Sequence, residues 1–169
     1  MEDVLRNRVA ESGIQTLNLE LLYPKKAWQK IDLKDYLFHG LILKEKDFRE
    51  ALKNMDWTPY QGCVTLVYCS TDAILPVWAF MLVAKYLQEA GGIIFVGTEA
   101  EYLQQHYARE IDALDLSAYD GQRVVIKGCS DRPVPPSAYA AITARLLPTA
   151  LSIMYGEPCS TVPIYKKAK

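Results

Sequence analysis

"CVTLVYCSTDAILPVWAFMLVAKYLQEAGGIIFVGT", residues 63–98, decides the fold. "CVTLVYCS" is a continuous β-prone run, as expected of a strand buried on both faces. Pro76 opens a helix that is apolar on most sides, and Gly91 and Gly92 close it. "IIFVGT" is then a second buried strand. Strand, helix and strand at this spacing predict a parallel sheet with a right-handed crossover.

The pattern continues downstream. "EAEYLQQHYAREIDAL" (99–114) reads as a more solvated helix, with His106 facing solvent, and "QRVVIKG" (122–128) as a third strand. "PSAYAAITARLLP" (136–148) is a third helix and "ALSIMYG" (150–156) a fourth strand. After the turn at Gly156 and Pro158, Pro163 keeps the last segment out of a central strand, because proline donates nothing to a sheet.

Upstream, residues 4–12 suggest a short helix and "IQTLNLELLY" (14–23) a strand ending at Pro24. In "IDLKDYLFHGLILKEKDFREALKNMDW" (31–57), Asp32 and Asp35 are N-cap candidates, and Phe38, Leu41, Ile42 and Leu43 supply an apolar helical face. Glu45 to Lys53 is a charged amphipathic helix with Phe48 and Leu52 turned inward. The expectation is a single α/β domain over 1–169, a three-layer sandwich with a mostly parallel sheet of βαβ units. Residues 1–60 form an α/β segment packed on an edge, and 61–169 form the core.

The chain has 169 residues, half of them apolar, enough for a substantial core. Nineteen basic residues against 20 acidic ones leave no field favouring nucleic acid or a membrane surface. The start "MEDVLRNRVAESG" has no secretory pattern, and the longest apolar run is too short to span a bilayer. Four cysteines without close spacing point to reduced thiols and a cytoplasmic location. Homo-oligomerisation stays open.

Cysteine followed by serine occurs three times: at Cys69, ahead of Asp72 and Pro76; at Cys129, ahead of Asp131 and three prolines; and at Cys159. Parallel strands end on one edge, where ligands collect. In the common doubly wound order the strand ending at Cys69 lies beside the one ending at Cys129, about 4.8 Å away, and Cys159 joins them. A thiol at a helix amino end is shifted toward thiolate, the better nucleophile and metal ligand. Ser70 and Ser130 would cap those helices or hold an anion, and Asp72 and Asp131 would cap or face a ligand. His39, at an apparent helix break, would complete a Cys3His set. Cys63, at the opposite end of its strand, reads as packing. No Cys-x-x-Cys, glycine-rich phosphate loop or Gly-x-Ser-x-Gly elbow is present.

"GLILKEKDFREALKNMDW", "CSTDAILPVWAFMLVAKYL", "VVIKGCSDRPVPPSAY" and "MYGEPCSTVPIYKK" carry a resemblance over nearly the whole chain. The chain resembles an uncharacterised bacterial family, the domain-of-unknown-function family numbered 2480, known mainly from Bacteroidetes. The resemblance implies no established activity or catalytic residue. It does imply gene neighbours in iron–sulfur assembly, and hence iron–sulfur assembly proteins as partners.

Three functions fit these residues. One is a metal- or cluster-binding accessory protein, with Cys69, Cys129, Cys159 and His39 as ligands to zinc, copper(I), iron or an iron–sulfur cluster. Another is a thiol enzyme with Cys129 or Cys69 as nucleophile and Ser130 holding an anion. The last is a non-catalytic interaction module whose exposed aromatics, Trp57, Tyr60, Tyr102 and Tyr107, mark a partner surface.

Overall fold

In the computed structural model, residues 13–127, 131–157 and 160–168 are described. The expected helix over 4–12 lies outside them. Nine strands alternate with four α-helices among the described residues. The strands are β1 (Ile14–Leu17), β2 (Trp28–Asp32), β3 (Leu37–Phe38), β4 (Ile42–Leu43), β5 (Val64–Tyr68), β6 (Ile93–Val96), β7 (Arg123–Ile126), β8 (Ser152–Glu157) and β9 (Ser160–Lys166). The helices are α1 (Glu45–Asn54), α2 (Val77–Glu89), α3 (Glu99–Ala113) and α4 (Pro136–Leu146). The α/β class and the mostly parallel pairing are as expected.

The single sheet is not. The first sheet has the order β1-β7-β8-β9, with only β9 antiparallel, and the second is the parallel set β2-β5-β6. The strand ending before Cys69 therefore lies between β2 and β6, and the one ending before Cys129 lies between β1 and β8. The physical reason is that the N-terminal segment supplies an edge strand to each sheet, so that β5 and β7 each find a partner other than the other. Contacts group the chain in the same way: Pro24–Tyr102 form one compact unit, and the described residues up to Tyr23 with those from Leu103 onward form another. Both units combine residues from 1–60 and 61–169.

In the second sheet, Leu66 and Val67 point to opposite faces and both are fully buried. The Val67 face belongs to a core with Phe48 and Leu52 of α1 and Ala79, Val83 and Leu87 of α2. On the other face, Tyr102 of α3 packs edge-on against Trp28 and Phe95 at 5.4 and 5.3 Å. The first sheet buries Val124, Val125, Ile126 and Ile153, with Ile142 and Leu146 of α4 in the same unit's core. The Arg145 guanidinium of α4 donates to the Ile111 carbonyl near the carboxyl end of α3, supplying one of the bonds that a helix end lacks. Pro163 sits in the edge strand β9 beside a register irregularity, as its missing N–H requires.

Residues 31–43 differ from the expected helix. Asp32 does act as an N-cap, accepting from the Lys34 N–H, but it caps a single 3-10 turn over Leu33–Tyr36, and Asp35 lies within that turn. A hairpin of β3 and β4 follows. His39 and Gly40 occupy its turn with φ of 52° and 71°, closed by the Leu41 N–H donating to the Phe38 carbonyl at 3.1 Å. Two left-handed residues match the twist of a tight hairpin, so His39-Gly40 marks a turn rather than a helix break. Leu43 is buried, whereas Phe38, Leu41 and Ile42 are exposed.

At Gly156, φ is 124° and an added Cβ would meet the Ser160 carbonyl oxygen at 2.5 Å. Gly156→Ala is expected to lower stability by roughly 2 kcal/mol or more, read from urea unfolding followed by far-ultraviolet circular dichroism.

Candidate functional site

The two units share a topology that accounts for the repeated Cys-Ser motif. In each, a short N-terminal strand runs into a 3-10 turn and pairs in parallel with a later strand. That later strand leads through a Cys-Ser loop into a helix opened by proline, and the helix leads to the next parallel neighbour. β2-β5-α2-β6 and β1-β7-α4-β8 are two versions of this plan. Cys69 and Cys129 occupy equivalent positions in two sheets, not adjacent positions on one edge.

At the carboxyl edge of the second sheet, Asp32 is opposite Tyr68 in register, which brings it to the loop that follows β5. Its Oδ1 accepts from the Ser70 N–H at 3.0 Å and the Lys34 N–H at 3.1 Å, and Lys34 Nζ lies 3.5 Å from Oδ2. Burial by itself would raise the Asp32 pKa, but the hydrogen bonds from Ser70, then that from Lys34 and its charge, outweigh it and hold the carboxyl below its ordinary value. The half-buried Cys69 packs against the α1–α2 core, and its Sγ lies 3.3 Å from Thr71 Oγ1. Ser70 and Asp72 are exposed.

Neither serine nor aspartate caps a helix here. α2 and α4 take Pro76 and Pro135 as N-caps, in extended conformation and without a capping side chain. Proline fixes φ and holds the preceding residue extended, so each helix starts well after its Cys-Ser pair. Cys69 lies eight positions before Val77, beyond the first turn over which a helix end acts. The sequence-based argument for an activated thiol therefore does not apply to Cys69. His39 is exposed on its hairpin turn, with its ring 4.0 Å from that of Phe38. Among the described residues, no three His, Cys, Asp or Glu side chains are grouped as metal ligands. Cys129, Ser130 and Cys159 lie outside the described residues.

The carboxyl edge of the first sheet is richer in polar groups. Leu17 is opposite Ile126, so the turn after β1 meets the loop after β7. Glu20 Oε1 accepts from the Arg132 N–H at 3.1 Å, the counterpart of Asp32 with Ser70. The Arg132 guanidinium stands over the Tyr23 ring at 5.0 Å. Tyr107, expected to be exposed, is 0% exposed, and its hydroxyl has no hydrogen-bond partner among the described residues. Burial pushes its pKa up to about 12, helped by Tyr139, Tyr23 and Glu20 and opposed by Arg132. His106 is partly buried, not solvent-facing, with Nε2 donating to the Leu22 carbonyl at 2.8 Å. Asp131 is exposed. Beside this edge, α4 and β8 flank an apolar groove of about 680 Å³ lined by Ile126, Tyr139, Ala144, Tyr155 and Ile164.

The other expected surface aromatics are scaffold. Trp57 stacks on Tyr86 at 5.3 Å and donates from Nε1 to the Leu52 carbonyl, while Tyr60 packs against Trp57 at 5.5 Å. Cys63 is partly buried at the opposite end of β5 from Cys69, and its carbonyl accepts from Ile93. Glu20, Asp32 and Arg132 were not singled out from the sequence. The available signals were an acidic residue just after each N-terminal strand and the arginine following Cys-Ser-Asp.

These features define an α/β protein with two parallel sheets and a polar carboxyl edge on each. A family model described as "Protein of unknown function (DUF2480)" matches residues 3–167, and the chain belongs to that family. No curated protein and no solved structure matches it. No helix among the described residues is long and apolar enough to cross a membrane.

Asp32→Ala is expected to cost about 1–2 kcal/mol by leaving the Ser70 and Lys34 N–H groups without their acceptor. Because the folded carboxyl titrates below its unfolded value, this contribution is fully present above that value. The gap between wild type and variant should thus be constant above pH about 5 and shrink as pH falls below about 4. Urea unfolding across that range measures it.

Proposed function

We propose that this protein is a cytoplasmic accessory protein that handles a thiophilic metal or an iron–sulfur cluster at the carboxyl edge of its first sheet. Cys129 and Cys159 serve as the thiolate ligands. One observation carries the reading: β7 and β8 are adjacent parallel strands, with Ile126 opposite Tyr155. The segments containing Cys129 and Cys159 therefore leave neighbouring strands, about 4.8 Å apart, in the same direction. Thiolate pairs favour zinc, copper(I) and iron–sulfur centres.

Cys69 and His39 have no part in this reading, because each belongs to the unit of the second sheet. Two protein thiolates leave coordination positions open, which suits transfer to or from a partner better than permanent structural binding. Iron–sulfur assembly proteins are the proposed partners.

The test is elemental analysis and visible absorption of full-length protein purified without oxygen. Bound metal or cluster is expected to survive Cys69→Ser and His39→Asn, and to be lost in Cys129→Ser and in Cys159→Ser with circular dichroism unchanged. Metal-free wild type throughout the preparation, or equal loss on Cys69→Ser, would remove the proposal.

A further inference from the structure

Two hydrogen-bond donors at the edge of the first sheet have nothing to donate to. The Tyr107 hydroxyl is fully enclosed and unpartnered among the described residues. A buried polar group without a partner costs roughly 1–3 kcal/mol, and natural sites of this kind usually have an explanation in water, ion or ligand. The second donor is Arg132. Its backbone N–H is committed to Glu20 and its guanidinium is held over the Tyr23 ring, but that guanidinium makes no hydrogen bond or ion pair to any described residue. A guanidinium offers five N–H donors in a fixed fork and accepts nothing.

Tyr107 and Arg132 are also close enough to interact electrostatically, with Tyr139, Tyr23 and Glu20 around them. Because burial and these neighbours raise the Tyr107 pKa, the phenol keeps its proton across the physiological range and remains a donor. The Glu20 carboxylate already accepts from Arg132. What this cluster lacks is an acceptor.

We infer that Tyr107 and Arg132 form a binding site for a small oxyanion, with the Tyr107 hydroxyl and the Arg132 guanidinium both donating to its oxygens. The ligand is a carboxylate or phosphate group, alone or as the head of a small organic acid. Tyr23 keeps the guanidinium in place, since a cation over an aromatic face is attracted to it. Glu20 partly offsets the charge of Arg132, which favours an anion of low charge. This site goes beyond the thiol reading and stands whether or not Cys129 and Cys159 hold a metal.

The experiment is a titration of the full chain with acetate and, separately, inorganic phosphate, followed by amide chemical shifts and calorimetry. Saturable binding of at least one is expected, and which of the two binds more tightly identifies the head group. Tyr107→Phe keeps the ring and removes only the unpartnered hydroxyl, so its melting temperature should equal or exceed that of wild type. Its affinity should fall about tenfold or more, the loss expected for one hydrogen bond to a charged group. Arg132→Gln, an exposed position, should weaken binding to a similar degree. No saturable binding of either anion to wild type, or unchanged affinity in Tyr107→Phe, overturns the inference.

Discussion

The pairing of each N-terminal strand with a different later strand governs the rest of this structure. β1 joins β7 and β2 joins β5, both in parallel. A strand in the middle of a parallel sheet has two edges to satisfy, and each of these N-terminal strands satisfies one of them. Once β2 occupies one side of β5 and β6 the other, β7 is excluded from that sheet and builds its own with β1 and β8. Register then fixes the chemistry. Because parallel strands finish on the same edge, a residue just past an N-terminal strand meets the loop that follows its partner.

Both units use this meeting in the same way. Asp32 accepts the Ser70 N–H, and Glu20 accepts the Arg132 N–H. A carboxylate from the first part of the chain thus ties down a Cys-Ser loop in each sheet. The two edges diverge in what surrounds that tie. In the second sheet Cys69 leans on hydrocarbon and its neighbours Ser70 and Asp72 face solvent. In the first, a buried phenol and a guanidinium are unpaired among the described residues. The same backbone plan has been furnished for packing on one side and for polar recognition on the other.

Proline shapes both loops. With Pro76 and Pro135 as extended N-caps, the helices begin late and their first-turn N–H groups are remote in sequence from the cysteines. A Cys-Ser-Asp run before a helix resembles a capped helix start when spacing is read loosely. Counting residues to the proline distinguishes the two, since no side chain reaches a helix end that starts several residues later.

The sequence by itself determined the α/β class, the parallel pairing, the extents of α1 to α4 within a few residues, and the edge position of Pro163. These follow from local rules: hydrophobic periodicity, proline and glycine punctuation, and the missing proline donor. It did not reveal β2, where only Ile31 is fully buried and the apolar alternation is weak, nor the hairpin around His39, whose apolar residues mimic a helical face. The division into two sheets, the separation of Cys69 from the β7 edge and the burial of Tyr107 were decided by tertiary structure alone. Strand order depends on which edges find partners across long stretches of chain, and no local pattern of residues records that choice.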